Sequence, residues 1–434
     1  MTDASVPRRN FIGRLITAEP EEVPAVAGGF LLFFLLFASY FMLRPVRETF
    51  GIAGGVDNLQ WLFTGTFVAT LVVVPLYGWV ASRMPRRMLL PILYTFAALV
   101  MTGFATSLAI APDSVWVARA FYIWLSVMNL FVISIAWSLM ADLFVPEQSH
   151  RLFGQVAAGA SLGGLAGPLL SGLLIVPLGE PGLLFLSALL MVASLLCVRY
   201  LFRWHDAHGR EHEVEHPARI GGSIWAGLTL LFKSPLLLAI SGFVLLLTTA
   251  STFLYFEQAR IVEATFPDRA SQTQVFAAID VAVQSATILI QIFFTGRLAR
   301  RVGVTALLVA VPVIMMFGFG LLALMATFPV LAFVMIVRRV GEYALVRPGR
   351  EMLFTAIPVE TKYKAKNAID TFVYRGGDAI AGWAYAGIVL IAGTGGVALA
   401  GAALAGLWGA VGYAIGRRHD QQTLERESEA PALA

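Results

Sequence analysis

Six ionised side chains are concentrated in one apolar stretch, and their spacing would suit an anion site or a network of charges. They are Arg338, Arg339, Glu342, Arg347, Arg350 and Glu351. A charge at the depth of a lipid bilayer costs roughly 3 kcal/mol or more, so it is retained beside an opposite charge or in a hydrated cavity. The stretch therefore predicts a membrane protein with a polar internal pathway, which is typical of transporters.

The composition agrees with a chain that lies largely in a membrane. Of the 434 residues, 58% are hydrophobic and 13% are charged, and the mean hydropathy is +0.77. A soluble domain carries about 25% charged residues. The formal net charge of +4 does not indicate a nucleic-acid partner, and the single cysteine, Cys197, excludes an intrachain disulfide.

Apolar runs of about 20 residues, the length that crosses about 30 Å of hydrocarbon as a helix, recur along the chain. Because lipid offers the backbone no hydrogen bonds, each run is predicted to be a helix and not a strand. We expect twelve spans, at 25–45, 59–81, 89–111, 116–141, 153–176, 181–202, 236–258, 275–296, 304–326, 329–356, 367–392 and 394–416.

Lysines and arginines in the connections predict how the spans are oriented. The connections on one side contain many basic residues, such as Arg86 and Arg87 after span two and Arg300 and Arg301 after span eight. The opposite connections contain almost only Arg269. We therefore expect an integral protein of the bacterial inner membrane, embedded in the lipid bilayer with both termini in the cytoplasm.

The chain repeats itself at an offset of 214 residues. Residues 81–87 follow span two, residues 295–301 follow span eight, and three arginines of the two segments coincide. At nearly the same offset, Gly163 in span five matches Gly376 in span eleven. A repeat of six spans in one orientation indicates two halves related by an axis along the membrane normal. The predicted fold class is an all-α membrane protein, with twelve transmembrane helices in two pseudo-symmetric six-helix bundles (major facilitator-like).

The repeat also predicts how the chain is divided. We expect a cytoplasmic N-terminal tail, a six-helix bundle, a cytoplasmic linker with an interfacial helix, a second six-helix bundle and a disordered cytoplasmic tail, at 1–24, 25–202, 203–234, 235–416 and 417–434. Four histidines lie in the linker, at 205, 208, 212 and 216, and their spacing could bind a transition metal. We favour a solvated face, because no cysteine joins them and Pro217 ends the run.

Two sets of residues resemble known transporters. The motif Gly78-x-x-x-Ser-Arg-x-x-Arg-Arg87 resembles the loop motif of the major facilitator superfamily, with Ser82 in place of aspartate. The segments 43–48, 261–263, 350–354 and 362–370 resemble the ATP:ADP antiporter (nucleotide translocase) family of bacteria and plastids, and this similarity extends over most of the chain.

The resemblance to ATP:ADP antiporters implies a twelve-span exchanger with a central nucleotide site between its halves. It assigns the basic, nucleotide-contacting role to Arg47 and the acidic role to Glu263. Two positions depart from that family. Asn129 stands where the family carries a glutamate in span four, and Asp378 stands where it carries a lysine in span eleven.

Span one places Arg44, Arg47 and Glu48 within one arc of its surface, with Pro45 among them. Because Pro45 removes a backbone hydrogen bond, we expect a kink or break, and broken helices beside cavities commonly form transporter sites. The alternative is the hydrated outer end of the span, with Arg44 paired to Glu48. In span four, Asn129 lies midway along the helix and requires a partner or a substrate contact.

Span eight carries a polar stripe on one face: Asp280, Gln284, Thr287 and Gln291. Such a stripe on a membrane helix faces other helices or water and not lipid. It is either part of a substrate pathway or a hydrogen-bonded seam between spans, at about 1 kcal/mol per bond. Because Asp280 can ionise, we predict a coupling or gating role for Asp280 together with Gln284.

Span ten pairs Arg338 with Glu342 four residues later, and Arg350 lies near that face. We expect the run Arg347-Pro348-Gly349 to break the helix. Arginines can hold a phosphate or carboxylate through two hydrogen bonds, and amide groups at the start of a half-helix can add donors. The alternative is a salt-bridge cluster that neutralises itself. Span eleven adds three candidates for gating or proton coupling: Asp370, Arg375 and Asp378.

The charged groups in and beside the spans balance. Eight are basic: Arg44, Arg47, Arg260, Arg338, Arg339, Arg347, Arg350 and Arg375. Eight are acidic: Glu48, Glu257, Glu263, Asp280, Glu342, Glu351, Asp370 and Asp378. This balance suits a network that exchanges partners during transport, or a proton-coupled cycle in which one carboxylate has a raised pKa.

Together these patterns predict a secondary active transporter with alternating access that moves or exchanges an anionic metabolite such as a nucleotide. The predicted substrate-binding residues are Arg44, Arg47, Asn129, Glu263, Arg338, Glu342, Arg347 and Arg350. The predicted coupling or gating residues are Glu48, Asp280, Gln284, Asp370, Arg375 and Asp378. Two alternatives stay open: a proton-coupled carrier of a neutral or drug-like solute, and a non-transporting membrane protein that handles lipid or assists assembly.

No enzyme, cofactor or metal site is predicted. The spans contain no histidine, and the sequence has no nucleophile at a sensible distance from a base. It also lacks a phosphate loop of the type Gly-x-x-x-x-Gly-Lys, so any phosphate would have to be recognised by arginines.

Overall fold

Helices make up nearly all of the structure. The computed structural model describes residues 18–208 and 224–429, and no strand occurs in those two ranges. The α-helices are α1 (Val23–Ala53), α2 (Leu59–Ala81), α3 (Arg86–Ile110), α4 (Val115–Leu143), α5 (Pro146–His208), α6 (Ile224–Lys233), α7 (Pro235–Thr265), α8 (Arg269–Ile290), α9 (Gly296–Leu324), α10 (Phe328–Gly341), α11 (Arg347–Leu353), α12 (Val359–Ala368) and α13 (Tyr374–Glu429). The all-α prediction is confirmed.

Nine helical stretches within the described ranges are long and apolar enough to cross a membrane. Two of them, Arg151–Ala207 and Lys364–Gln422, contain 57 and 59 residues, whereas one crossing needs about 20. Each is interrupted at a glycine with positive φ, 64° at Gly179 and 66° at Gly393, a conformation that glycine adopts without a steric cost. These glycines lie in the gaps predicted between spans five and six and between spans eleven and twelve.

Span ten contains no helix break at Arg347-Pro348-Gly349. A wide π-helical turn at Glu342–Val346 joins α10 to α11, and the Arg347 amide donates to the Glu342 carbonyl. Pro348 lies in the first turn of α11, where the missing N–H is tolerated best. A second wide turn, Ile369–Val373, joins α12 to α13 and contains Asp370. Such turns are rare and occur frequently at functional sites.

Helix α1 likewise continues through Pro45 and ends at Ala53. One turn after the proline, the buried Thr49 hydroxyl donates to the Pro45 carbonyl at 3.2 Å. Of the kink or break predicted in span one, the break is absent and the kink stays a prediction; the charged residues around Pro45 are held by a continuous helix.

By packing, the chain divides into two compact units. Unit 1 comprises Met1–Arg44, Leu76–Pro112 and Met128–Glu213. Unit 2 comprises Pro45–Pro75, Asp113–Val127 and Val214–Ala434. Unit 2 thus contains one end of each of α1, α2 and α4 together with the helices from α6 onward. The predicted division into 25–202 and 235–416 remains a prediction.

Close helix contacts occur at matching glycines in the two units. In unit 1, a Cβ placed on Gly163 would lie 2.4 Å from the Phe34 carbonyl oxygen, so α5 approaches the backbone of α1. In unit 2, a Cβ on Gly377 would lie 2.6 Å from Thr248 Oγ1, so α13 approaches α7. Small residues permit such approaches between membrane helices. The two glycines are separated by 214 residues, which is the offset of the sequence repeat.

The C-terminal segment differs from its prediction as a disordered tail at 417–434. Helix α13 continues to Glu429, and 430–434 lie outside the described residues. The Asp420 carboxylate accepts hydrogen bonds from the Val304 and Thr305 amides at 3.0 and 3.1 Å and from the Thr305 hydroxyl at 2.6 Å. These bonds fasten the helical extension to α9. Helix α6 lies within the predicted linker 203–234, whereas 1–17 and 209–223 are outside the described residues.

Candidate substrate site

A polar network in unit 2 begins at the end of α1. Arg47 contacts Glu48 at 2.5 Å and donates to the Ser126 hydroxyl of α4 at 3.4 Å. Its guanidinium also lies 5.3 Å from the ring centroid of Tyr122, in the range of a cation–π contact. The Tyr122 hydroxyl is 2.9 Å from the Tyr255 hydroxyl of α7. Two residues predicted from span one are therefore connected with α4 and, through the tyrosines, with α7.

The same serine connects α4 with α13. Arg375 donates to the Ser126 backbone carbonyl at 3.4 Å. Arg375 also lies 3.9 Å from Asp378, and the Thr252 hydroxyl of α7 donates to that carboxylate at 3.2 Å. The Asp378 side chain is 14% exposed. Two predicted coupling residues thus share this network with Arg47.

A second group of charges surrounds Glu342. Arg338 donates to Glu342 at 2.8 Å and to the Ser251 hydroxyl of α7 at 2.8 Å. Arg347 approaches the same carboxylate at 3.8 Å and lies 4.5 Å from the centroid of the Tyr343 ring. The Arg338 and Glu342 side chains are nearly buried, whereas Arg347 is 55% exposed. Since Ser251 and Thr252 are adjacent in α7, this helix contacts both groups.

Asp280, a predicted coupling residue, is held in a buried ion pair. It forms an ion pair with Arg339 at 2.5 Å, and both side chains are buried, with 4% and 5% exposed. Further along the same stripe, Gln291 donates to the Tyr343 carbonyl at 3.4 Å. The first contact joins α8 to α10, and the second joins the turn Gln291–Thr295 to the turn Glu342–Val346. Gln284 is half-buried and lies between Asp280 and Gln291 in the sequence. This geometry matches the seam that the sequence left as the alternative.

Two further ion pairs connect α11 with α12 and with the turn Ile369–Val373 that follows it. Arg350 lies 3.3 Å from Asp370, and Lys366 donates to Glu351 at 2.7 Å. Arg350 is nearly buried at 14% exposure, whereas Asp370 is 42% exposed. The predicted contact residue Arg350 is thus held by a predicted gating residue and is not joined to the Glu342 group by these bonds.

Three predicted substrate residues lie apart from these contacts. Arg44 and Asn129 belong to unit 1, where the Arg44 guanidinium lies 5.8 Å from the centroid of the Phe41 ring. Glu263 is exposed two residues before the end of α7.

Hydroxyl-bearing residues of α7 were missed by the sequence reasoning. Ser251, Thr252 and Tyr255 each contact a network residue, and Glu257 accepts a 2.7 Å hydrogen bond from Tyr385 of α13. A run of hydroxyl residues from Thr248 to Thr252 in an otherwise apolar span is a signal that could have identified them. Serine and threonine hydroxyls in membrane helices bond to neighbouring helices.

Comparisons with known proteins agree with this architecture. A bacterial homolog of the human lysosomal transporter Spinster has 13% sequence identity and a TM-score of 0.61, covering 93% of this chain and 98% of its own. A bacterial homologue of the iron transporter ferroportin has 17% identity and a TM-score of 0.63, covering 91% and 98%. The nucleoside transporter NupG has 13% identity and a TM-score of 0.62, covering 92% and 99%. At these identities the similarity shows the fold.

The sequence itself gives the family. No curated protein matches it, but the family model described as Major Facilitator Superfamily matches residues 25–349. The family, the fold and the apolar helices indicate an integral membrane transporter for a small molecule, and not an enzyme. Because the family model covers well over half of its residues, the chain belongs to the Major Facilitator Superfamily.

Proposed function

We propose that the chain is an alternating-access secondary transporter that moves or exchanges an anionic metabolite. The observation that carries the proposal is the environment of Arg347. Glu342 is shared by Arg338 at 2.8 Å and Arg347 at 3.8 Å, so one carboxylate faces two guanidinium groups. Arg347 is the looser partner and is 55% exposed. An arginine in this state can take a second, bidentate partner.

The surrounding charges favour an anion over a cation. The two groups joined by α7 contain four arginines (Arg47, Arg338, Arg347 and Arg375) against three carboxylates (Glu48, Glu342 and Asp378). With all of them ionised, one positive charge remains. Away from bulk water, an uncompensated charge strongly favours a ligand of opposite sign.

Nucleotides are the first class of anion to test. The resemblance to ATP:ADP antiporters supports this choice, with Arg47 as a contact residue, although Arg47 is already engaged by Glu48. Glu263 lies exposed near the end of α7, so its acidic role requires a separate test. By the basic connections, we place the transporter in a bacterial inner membrane with cytoplasmic termini.

The test is ligand-dependent thermal stability of the detergent-purified protein. A ligand at 100 times its dissociation constant stabilises the folded state by about 2.7 kcal/mol. We expect ADP, ATP or another phosphate ester to raise Tm, and we expect the rise to be lost in Arg347→Gln. The matched control is Arg417→Gln, because Arg417 also lies over a tyrosine four residues earlier, Tyr413.

Counterflow into proteoliposomes extends the test from binding to transport. Internal unlabelled anion should accelerate uptake of the labelled anion in wild type and in Arg417→Gln but not in Arg347→Gln. If nucleotides, other phosphate esters and dicarboxylates all leave Tm unchanged, or if both variants respond alike, the anion proposal is wrong.

A proton-coupled carrier is the second candidate, and it is favoured by the geometry at Asp378. This carboxylate is nearly buried, and its arginine is 3.9 Å away, at the outer limit of an ion pair. Its 3.2 Å hydrogen bond comes from the neutral Thr252 hydroxyl. In that case Asp378→Asn should abolish uptake driven by a pH gradient and leave counterflow intact. Equal loss of both activities would count against proton coupling at this residue.

A further inference from the structure

A wide helical turn places Arg347 beside Glu342, and both residues belong to unit 2. The turn Glu342–Val346 is π-helical, because the Arg347 amide donates to the Glu342 carbonyl, five residues back. In an α-helix it would donate to the carbonyl four residues back, and five residues at 100° each would point Arg347 about 140° away from Glu342. Instead, Nη2 of Arg347 and Oε1 of Glu342 lie 3.8 Å apart.

One extra residue in the turn accounts for this contact. It shifts every later residue by one position, so Arg347 occupies the place that the fourth residue after Glu342 would have in an α-helix. Arg338 lies four residues before Glu342 and is 2.8 Å from its carboxylate. Glu342 therefore has one arginine on each side, one helical turn away, and the second of them depends on the wide turn.

Pro348 favours the wide form of the turn. A proline ring inside an α-helix clashes with the carbonyl four residues earlier, which here belongs to Ala344, and proline has no N–H to donate. The Tyr343 carbonyl thus receives neither the Arg347 amide, which bonds to Glu342, nor an amide from position 348. Alanine at position 348 would supply an N–H and remove the ring, so it would favour the α form.

Gln291, in the second wide turn Gln291–Thr295, holds the Tyr343 backbone in this form. Its side-chain amide donates to the Tyr343 carbonyl at 3.4 Å. The Arg347 guanidinium lies 4.5 Å from the ring centroid of the same tyrosine. Gln291 therefore bonds to the carbonyl that the wide form takes from the Arg347 amide, and the tyrosine that it holds also supports the arginine. A return to the α form would make the Arg347 amide compete with Gln291 for that carbonyl.

We propose that the turn Glu342–Val346 is a two-state element of the anion site, and that Gln291 is a positioning residue that stabilises its wide form. In the wide form, Arg347 lies at Glu342 and is open to an anion. In the α form, the segment after the turn rotates by about 100°, and Arg347 is withdrawn. This inference rests on the proposed anion transport and adds how the site is assembled and how it releases its anion.

The first experiment compares affinity with stability. Gln291→Leu and Pro348→Ala both favour the α form, so each should weaken anion binding roughly 2- to 10-fold, the range that one hydrogen bond contributes. The probes are ADP, inorganic pyrophosphate and succinate, measured by isothermal titration on the full chain in detergent. The control is Gln60→Leu, because the Gln60 side chain also donates to a backbone carbonyl, that of Asp57 at 2.8 Å. The control should keep wild-type affinity, and neither test variant should lower Tm more than it does.

A one-residue deletion separates positioning from general stability. Deletion of Leu345 leaves four residues in the turn where five stood, so Arg347 becomes the fourth residue after Glu342 in an ordinary α-helix. Anion binding should then be retained, and the deletion should restore the affinity that Gln291→Leu loses. Counterflow should be lost, because the locked turn can no longer withdraw Arg347.

Thiol labelling reports on the turn without any ligand. In the α form, Val346 would take the place that Arg347 has in the wide form. Val346 is 1% exposed, whereas the Arg347 side chain is 55% exposed. The single natural cysteine, Cys197, is buried and is replaced by serine. In that background, Val346→Cys should react with N-ethylmaleimide roughly 2- to 10-fold faster when Gln291→Leu is added, and no faster when Gln60→Leu is added.

Each outcome bears on a separate claim. Unchanged affinity and unchanged labelling in Gln291→Leu would refute the positioning role. Loss of binding in a folded deletion variant would show that the turn does not align Arg347, and retained counterflow would refute the switch. If the deletion variant does not fold, Pro348→Ala decides, because it too should bind more weakly and label faster; no change in either would overturn the two-state turn. If no probe binds to wild type, the anion proposal fails, and labelling alone decides the two-state turn.

Discussion

Removing one partner of the Arg339–Asp280 pair should strongly destabilise the protein. The two side chains are 2.5 Å apart and 5% and 4% exposed. Within the described residues, Nε and Nη2 of Arg339 have no hydrogen-bond partner, so Asp280 supplies its neutralisation. In Asp280→Leu the guanidinium would remain buried without its carboxylate.

The magnitude follows from the burial. Removing one partner of a buried ion pair costs about 3–5 kcal/mol, because the other charge remains buried without compensation. At about 1 °C per kcal/mol for a chain of this size, Tm should fall by roughly 3–5 °C. Replacing both partners by leucine should recover most of this loss, since an apolar pair of similar volume is often neutral or stabilising.

The assay is thermal denaturation in detergent of Asp280→Leu, Arg339→Leu and the double variant. Arg269→Leu is the control, because Arg269 pairs with Asp113 at 3.1 Å but Asp113 is 91% exposed, and exposed pairs contribute about 0–1 kcal/mol. The reasoning is refuted if the single variants shift Tm no more than Arg269→Leu, or if the double variant is no more stable than the singles. A stable Asp280→Leu that loses only coupling would instead support the coupling role predicted for Asp280.

Three further predictions concern packing and capping. Gly163→Ala should lower Tm by several degrees, because its Cβ would lie 2.4 Å from the Phe34 carbonyl oxygen. The control Gly154→Ala should leave Tm unchanged, because nothing lies within 4 Å of that Cβ. Equal effects of the two variants would show that α1 and α5 do not approach so closely. Asp420→Asn should weaken the attachment of α13 to α9 by about 1–2 kcal/mol, seen as faster amide exchange at Thr305, and unchanged exchange would contradict the contact. Outside the spans, hydrogen bonds from the Ser271 hydroxyl and amide hold the pKa of Asp268 below its ordinary value of 3.8. Because the pKa of Asp268 is lower in the folded state, the stabilisation from this cap is fully present above pH 3.8 and is lost as the pH falls through the lowered pKa. The Ser271 amide should therefore lose protection from exchange below pH 3.8, and it should keep its protection between neutral pH and about pH 5.

The spans were predictable because lipid restricts the backbone so strongly. In a bilayer, a single run of about 20 apolar residues can satisfy its backbone hydrogen bonds by itself only as a helix. The predicted gaps at 177–180 and at 393 contain the two positive-φ glycines, Gly179 and Gly393. The effects of Pro45 and Pro348 were not predictable in the same way. A proline removes one hydrogen bond, but whether the helix breaks, bends or widens depends on neighbouring helices that a single span does not reveal.

The candidate site was predictable as a set of residues and less so as a set of pairs. Arg47, Arg338, Glu342 and Asp378 were identified because charges are rare in apolar spans. Their hydroxyl partners Ser126, Ser251 and Thr252 are common residues whose positions in two other helices decide the contacts. A helical stripe shows which residues share a face, but the facing helix is determined by tertiary packing.

Arg338 and Arg339 illustrate why the balance of eight basic and eight acidic groups did not describe the site. Neighbouring residues on a helix point about 100° apart, so Arg338 reaches Glu342 and Ser251 while Arg339 reaches Asp280. The Arg339 pair is sealed and neutral by itself, and it contributes nothing to the charge that a ligand meets. The proposed anion site rests on a local arrangement, in which Glu342 is shared by Arg338 and the more exposed Arg347. A set of charges in and beside the spans that is neutral in total can therefore contain a locally positive group, and the proposal of an anionic substrate rests on how the groups pair and not on their sum.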